Sequence, residues 1–241
     1  LEALELLPSL QSWSRRESMV AAQVTTAADL YVHAGQPERG LQLLDDIVEE
    51  LTDLWQTPLI PPQIRISALA LAALSATIPD LPQTGRVAAV KRGAGYMSAA
   101  GDVVTDHQQH NRRLGAEGLA WKLRADAEWH RLRWLAGVDA SPLEEHVAAW
   151  QAAIDAFGYG DRYEQARSRT RLAALLRSAG RGAEAAELAG LARQTARELG
   201  ATPLLAELRA LASERRPVDR SGGPQSLTGR EREVLALLEQ G

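Results

Sequence analysis

The segment LAALLRSAGRGAEAAELA, residues 172–189, carries the pattern that decides the fold. Gly180 and Gly182 separate two stretches in which Ala and Leu recur at intervals of three and four, the periodicity of an amphipathic helix. The pattern predicts one helix over residues 161–179 and a second over residues 183–199. Because the turn between them is so short, the two helices are expected to pack antiparallel.

A second copy of this frame occurs near the start of the chain, where Gly35 takes the place of Gly180. Five positions correspond: Ala27, Ala28, Tyr31, Gly35 and Gly40 align with Leu172, Ala173, Leu176, Gly180 and Ala185. The spacing resembles the tetratricopeptide (TPR) repeat, in which small residues let paired helices approach closely. The predicted fold class is therefore all-α, a TPR-like antiparallel helical-repeat solenoid. An irregular helical bundle with coincidental glycines is the alternative.

The composition agrees with a helical chain of one or two domains. Of 241 residues, 45% are hydrophobic but only 5% are aromatic, so strong helix formers such as Ala and Leu carry the apolar share. The absence of cysteine excludes disulfides and thiolate metal sites, and is compatible with a cytoplasmic location. A net charge of −4 argues against a chain built mainly to bind nucleic acid. Leu1 in place of Met is typical of an excised piece without a signal peptide.

Several further helices are predicted between the two repeats. Residues 64–78 are apolar on nearly every face and should form the most buried helix, yet at 15 residues they fall short of the roughly 20 that cross a membrane. Residues 84–109 give a weaker helical pattern, loosened by three glycines. The tetrapeptide SPLE at 141–144 has the form of a capping box, which predicts a helix with proline at its first position.

Residues that suggest metal or cofactor chemistry are few. Asp106, His107 and His110 could present metal ligands on one helix face. A solvated polar face is the favoured interpretation, because no further histidine or acidic residue stands at a fixed spacing from them. Gly93 and Gly95 lack the third glycine and the preceding strand of a dinucleotide-binding loop. The sequence therefore predicts neither a metal nor a cofactor.

Basic residues surround three tryptophans in the middle of the chain, as in a stacking platform for nucleic acid. These residues are Arg112, Arg113, Lys122, Arg124, Arg131 and Arg133, with Trp121, Trp129 and Trp134. The four-residue spacing of Trp121, Ala125 and Trp129 favours packing in a helical core instead. No nucleophile elbow or marked pair of carboxylates occurs, so the chain is not predicted to be an enzyme.

The last 15 residues, 227–241, have the form of a capped helix. Thr228 and Glu231 are spaced as a capping box, in which the hydroxyl accepts from the N–H of Glu231 and the carboxylate accepts from the N–H of Thr228. Apolar residues then follow at helical spacing. Residues 215–226 are rich in Gly, Pro and Ser and predict a flexible linker before this helix.

The sequence segments LTGRERE and VLALL, residues 227–238, resemble the first helix of the LuxR-type helix-turn-helix domain. The match begins with Leu227, Thr228, Arg230 and Glu231. In that family the third helix enters the major groove, and residues 1–241 contain no counterpart of it. The resemblance therefore implies DNA binding through a complete domain and no operator binding by this fragment alone. An ordinary capped helix is the alternative.

The region before the linker resembles the same family. The segment RELGATPLLAEL, residues 197–208, followed by a polar linker and LTGRE, is similar to the arrangement in the large ATP-binding (LAL) regulators that carry a LuxR-type domain. This resemblance extends over residues 121–212. The ATPase module of those regulators is not found, since no G-x-x-x-x-G-K-[ST] loop occurs in the sequence.

Three regions are therefore predicted. Residues 1–214 form a helical-repeat domain that binds an effector or a protein partner, residues 215–226 form a linker, and residues 227–241 form the first helix of an incomplete LuxR-type domain. The hypothesis is a signal-responsive transcriptional regulator, which acts in the cytoplasm and could form a homodimer. The competing hypothesis is a TPR-like protein–protein interaction scaffold with no DNA-binding role.

Overall fold

A computed structural model describes residues 25–213 and the single residue Glu5. Within residues 25–213 the protein is all-α, as predicted, with nine α-helices and no strand. The helices are α1 Ala27–His33, α2 Pro37–Trp55, α3 Gln63–Thr77, α4 Gln83–Gln109, α5 Ala116–Ala136, α6 Leu143–Ala156, α7 Arg162–Ser178, α8 Gly182–Glu198 and α9 Thr202–Ser213. Short 3-10 turns at Ile78–Asp80 and Phe157–Tyr159 follow α3 and α6. The predicted linker and the predicted helix at 227–241 lie outside the described residues.

The helices are arranged in two layers. Helices adjacent in sequence pack together, and α3 also packs against α1 and α5, while α7 also packs against α9. The odd-numbered helices therefore form an inner layer, and α2, α4, α6 and α8 cover it from outside. This arrangement brings one face of α1, α3, α5, α7 and α9 toward a common centre.

The two repeat turns predicted around Gly35 and Gly180 have the same backbone geometry. Both glycines have positive φ, +72° and +80°, in the left-handed region that an L side chain rarely adopts. In each turn the following N–H closes a six-residue loop: Gln36 donates to the carbonyl of Tyr31 at 2.8 Å, and Arg181 donates to that of Leu176 at 2.9 Å. The shared turn predicted from sequence is confirmed.

The small residues of the two repeats lie where paired helices touch. A Cβ added at Gly40 would stand only 3.0 Å from the carbonyl oxygen of Ala28, so a larger residue would require α1 and α2 to shift apart slightly. In the second copy Ala173 and Ala185 are 0% and 5% exposed. The predicted close approach is confirmed at Gly40, and the small residues of the second copy are buried as expected.

Replacing Ala173 with leucine should destabilise the protein, because three extra carbons must enter the packed contact between α7 and its neighbours. We expect a loss of about 1–3 kcal/mol in the free energy of unfolding. The matched control is Ala174→Leu, one residue along α7 and exposed, which should change stability by less than about 0.5 kcal/mol. Urea unfolding measures both, and equal effects would contradict this account of the repeat.

The central helices show one confirmed expectation and one correction. Thirteen of the fifteen residues of α3 are buried, so the prediction of a most buried helix over residues 64–78 holds. The helix predicted over residues 84–109 is confirmed, but its three glycines do not loosen it, because α4 is continuous. Gly93 serves close packing: a Cβ there would lie 2.6 Å from Cδ2 of Leu132 and 3.0 Å from the ring of Trp129.

The predicted capping box at residues 141–144 is also wrong. Helix α6 begins at Leu143 with Pro142 at the capping position and without a side-chain hydrogen bond. The hydroxyl of Ser141 instead contacts Nδ1 of His130 on α5. A true side-chain cap occurs at α7, where a carboxylate oxygen of Asp161 accepts from the N–H of Glu164 at 3.1 Å.

Candidate binding site

Charged side chains from four inner helices meet on the face that these helices turn toward one another. We call this set the inner ionic network. Its members are Asp29 and His33 on α1, Arg124, Glu128 and Arg131 on α5, Glu164, Arg167 and Arg171 on α7, and Glu207 on α9. Four arginines face four carboxylates, so the formal charges cancel before His33 is counted.

The centre of the network joins α5 to α7. Arg124, whose side chain is 2% exposed, donates to Glu128 at 2.8 Å, to Glu164 at 2.9 Å and to the hydroxyl of Ser168 at 3.3 Å. Burial alone would raise the pKa of Glu128, but the nearby Arg124 and Arg131 lower it to about 2. The carboxylate therefore stays ionised, and removal of Arg124 would take the nearest cation from both Glu128 and Glu164.

A second pair joins α1 to α7. Both terminal nitrogens of Arg167 donate to the two carboxylate oxygens of Asp29, at 2.5 and 2.6 Å. The two residues are 138 positions apart in sequence, and Arg167 is 2% exposed. Two parallel hydrogen bonds between ionised groups fix the relative orientation of the helices as well as their distance.

A third contact joins α1 to α9. Nε2 of His33 lies 3.1 Å from a carboxylate oxygen of Glu207, and Arg171 on α7 lies 3.1 Å from the other oxygen. Burial opposes ionisation of Glu207, yet the pKa of this carboxyl is lowered because Arg171 and His33 outweigh burial. The first helix is thus tied to the seventh and the ninth, and the inner layer closes on itself.

The contact between His33 and Glu207 makes stability depend on pH near neutrality. The hydrogen bond that His33 donates to Glu207 raises the pKa of His33 above 6.5, against the opposing effect of burial. A histidine with a raised pKa stabilises the folded state fully below its unfolded pKa, and this contribution disappears as the pH rises through the folded pKa. His33→Gln should therefore cost more free energy of unfolding at pH about 5.5 than at pH about 8.5.

Urea unfolding of both proteins at the two pH values measures this difference. The control is His110→Gln, which replaces an exposed histidine at the end of α4. Equal costs of His33→Gln at acid and alkaline pH would show that the imidazolium does not hold α1 to α9.

A cavity of about 250 Å³ lies beside the network, where α1, α3, α5 and α7 meet the start of α9. We call it the inner-helix cavity. The residues that define its chemistry are Leu30, Arg65, Trp121, Asp161, Tyr163 and Pro203. Thr26 and three members of the network, Asp29, His33 and Glu164, also line it. Six of the ten described lining residues are polar or charged, and the other four are apolar or aromatic.

Arg65 is the cation of this cavity. Its guanidinium lies 4.9 Å from the centroid of the Trp121 ring, in cation–π contact. Within residues 25–213, no carboxylate lies within ion-pair distance of Arg65, and its buried Nε has no hydrogen-bond partner. The wall of the cavity therefore presents one positive charge that no described carboxylate neutralises.

The predicted metal-ligand cluster lies elsewhere, near the end of α4. Asp106 forms an ion pair with Arg112, and one of its carboxylate oxygens lies 3.2 Å from Nδ1 of His110. Nδ1 of His107 hydrogen-bonds the carbonyl of Val103. Across the described part of the chain, no group of three His, Asp or Glu side chains is arranged to hold a metal ion.

The basic residues around the tryptophans do not form a common platform. Trp121 is 4% exposed and packs edge-on against Phe157 with centroids 5.4 Å apart, which confirms the predicted core packing. Arg124 and Arg131 point into the inner ionic network, whereas Lys122 pairs with Asp126 along its own helix. The tryptophans and basic residues that are close in sequence are thus divided between the core, the inner ionic network and the surface.

Sequence reasoning missed the inner ionic network, although a signal for it exists. Arg124, Glu128 and Arg131 are spaced by four and three, and Glu164, Arg167 and Arg171 are spaced by three and four, so each trio lies along one helix face. Charged residues at this spacing usually face solvent, and nothing local distinguishes a buried face from an exposed one.

In the described part of the chain, no helix combines the length and the apolar character that crossing a bilayer requires. Comparison of the chain with protein-family models, with curated proteins and with solved structures gave no match.

Proposed function

We propose that this chain belongs to a transcriptional regulator of the LuxR type, in which a TPR-like helical region receives an effector or a partner. The observation that carries the proposal is the closed inner layer: α1 is held to α7 and α9 by ion pairs at the rim of a cavity. The resemblance of residues 197–208 and of Leu227, Thr228, Arg230 and Glu231 to the LAL regulators supports the link to transcription.

The mechanism follows from the placement of the cavity. A ligand there touches α1, α3, α5, α7 and the start of α9 at once, so it favours whichever arrangement of these helices it fits best. The free-energy shift between the two arrangements is limited by the difference between the ligand's binding free energies for them. Because α9 lies next in sequence to the predicted linker, a change in its position would reach a DNA-binding unit acting in the cytoplasm.

The sequence encoded beyond Gly241 tests the link to DNA. The regulator proposal expects residues of the form S/T-N-x-x-I-A and then a helix of the form T-V-x-x-H, which would complete the LuxR-type domain. A gel shift at low salt should show sequence-selective binding for the chain extended through these helices and none for residues 1–241. Sequence-selective retention of DNA by the 241-residue chain would contradict the proposal.

The second candidate function is a TPR-like interaction scaffold with no role at DNA. Leu191 on α8 and Leu199 directly after it favour this candidate, because both residues are more than two fifths exposed. A stop codon after Gly241, or unrelated residues there, would support this candidate over the regulator.

A further inference from the structure

Two charged groups in the inner-helix cavity stand apart from the balanced network. Arg65 on α3 has no described carboxylate within ion-pair distance. Asp161, at the start of α7, uses one oxygen to cap its helix and has no described cation within that distance. The same cavity thus offers one positive and one negative group that form no ion pair with each other.

The other charged groups of the cavity wall already have partners. Asp29 receives both hydrogen bonds of Arg167, and Glu164 is paired with Arg124 and Arg167. His33 contacts Glu207. Among the described charged residues of the wall, only Arg65 and Asp161 lack an ion-pair partner, so electrostatic complementarity favours a ligand that carries one charge of each sign.

Apart from the polar side chain of Thr26, the remaining described wall is apolar or aromatic. Trp121 and Tyr163 are its aromatic lining residues, and Leu30 and Pro203 contribute aliphatic surface. At about 250 Å³ the cavity is smaller than the roughly 300–1,000 Å³ of most ligand sites, which limits the ligand to a small molecule. Such walls favour a compact apolar or aromatic body between the two charged ends of the site.

We propose that the inner-helix cavity binds a free α-amino acid with an apolar or aromatic side chain. The carboxylate of the ligand pairs with Arg65, its ammonium group pairs with Asp161, and its side chain lies against Trp121 and Tyr163. This inference rests on the proposed function, since it names the class of effector that the helical region receives. The bound zwitterion bridges α3 and α7 beside the contacts that hold α1, so it stabilises the closed inner layer.

Calorimetric titration near neutral pH with three related probes tests the proposal. The probes are L-phenylalanine, 3-phenylpropionate, which lacks the ammonium group, and 2-phenylethylamine, which lacks the carboxylate. L-phenylalanine should bind at one site with a Kd on the order of 10 μM to 1 mM. Each truncated probe should bind at least about tenfold more weakly, as loss of one charge-assisted hydrogen bond predicts.

Two variants assign each end of the ligand. Arg65→Gln should weaken binding of L-phenylalanine and 3-phenylpropionate at least about tenfold and leave 2-phenylethylamine unchanged. Asp161→Asn keeps an oxygen that can cap α7. It should weaken the binding of L-phenylalanine and 2-phenylethylamine and leave the affinity for 3-phenylpropionate unchanged. The matched controls are Arg113→Gln and Asp102→Asn, which remove the same charges at exposed positions away from the cavity.

Three results would overturn the proposal. These are no saturable binding of L-phenylalanine at millimolar concentration, equal binding of L-phenylalanine and 3-phenylpropionate, and affinity unchanged by both cavity variants. The proposed link to transcription is tested separately, by the residues encoded after Gly241 and by the gel shift. Failure of amino-acid binding can therefore be distinguished from failure of the regulator proposal.

Discussion

Replacing Arg124 with leucine is expected to lower the free energy of unfolding by about 3–5 kcal/mol, the usual cost of breaking a buried ion pair from one side. Glu128 is 0% exposed and Glu164 is nearly buried, so both carboxylates would face the interior without their main cation. The substitution also removes the guanidinium that lies 5.1 Å from the ring of Trp150, which is itself fully buried. The loss should far exceed that of an ordinary surface pair.

The control is Lys122→Leu on the same helix. Lys122 pairs with Asp126 at 2.5 Å, but its side chain is 39% exposed, so removal of this pair should cost less than about 1 kcal/mol. Urea unfolding followed by circular dichroism gives both values. If Arg124→Leu costs no more than Lys122→Leu, the network contributes nothing to the folded state and its central role is refuted.

Replacing Asp29 with alanine should cost about 3 kcal/mol, the lower end of the range for a broken buried pair, because Asp29 is 16% exposed. Arg167 would keep only its longer contact with Glu164, at 3.4 Å. A double-mutant cycle with Arg167→Leu isolates the interaction, and we expect a coupling energy of about 2 kcal/mol.

An exposed inter-helix pair provides the comparison for this cycle. Arg162 on α7 and Glu198 on α8 form an ion pair in which both side chains are more than two fifths exposed. Its coupling energy should lie below about 1 kcal/mol. Coupling between Asp29 and Arg167 no larger than this would mean that the closure of the inner layer is incidental.

The local structure of the repeats follows from the sequence because its causes are local. Gly35 and Gly180 are needed for left-handed turns, and the residues five positions beyond each glycine must be small for helices to touch. Turn geometry and close approach act within one helix pair, so the spacing of a few residues predicts both.

The closure of the inner layer depends on contacts that spacing cannot reveal. Asp29 and Arg167 meet only because seven helices bring them together, and each taken alone resembles a solvated surface residue. Similarly, glycine at position 93 predicts a loosened helix, whereas the nearby side chain of Leu132 makes Gly93 a packing position. The placement of Arg65 and Asp161 in one cavity likewise depends on the assembled layer.

The central claim is that α1 is held against α7 and α9. Because the chain has no cysteine, Glu38→Cys on α2 and Arg209→Cys on α9, both exposed, can carry a pair of spin labels without interference. Pulsed electron–electron double resonance should give one narrow distance distribution, which broadens or lengthens when Asp29 and His33 are both replaced with alanine. A broad distribution in the otherwise unchanged chain, or one that the double replacement leaves unaltered, would contradict the closed inner layer.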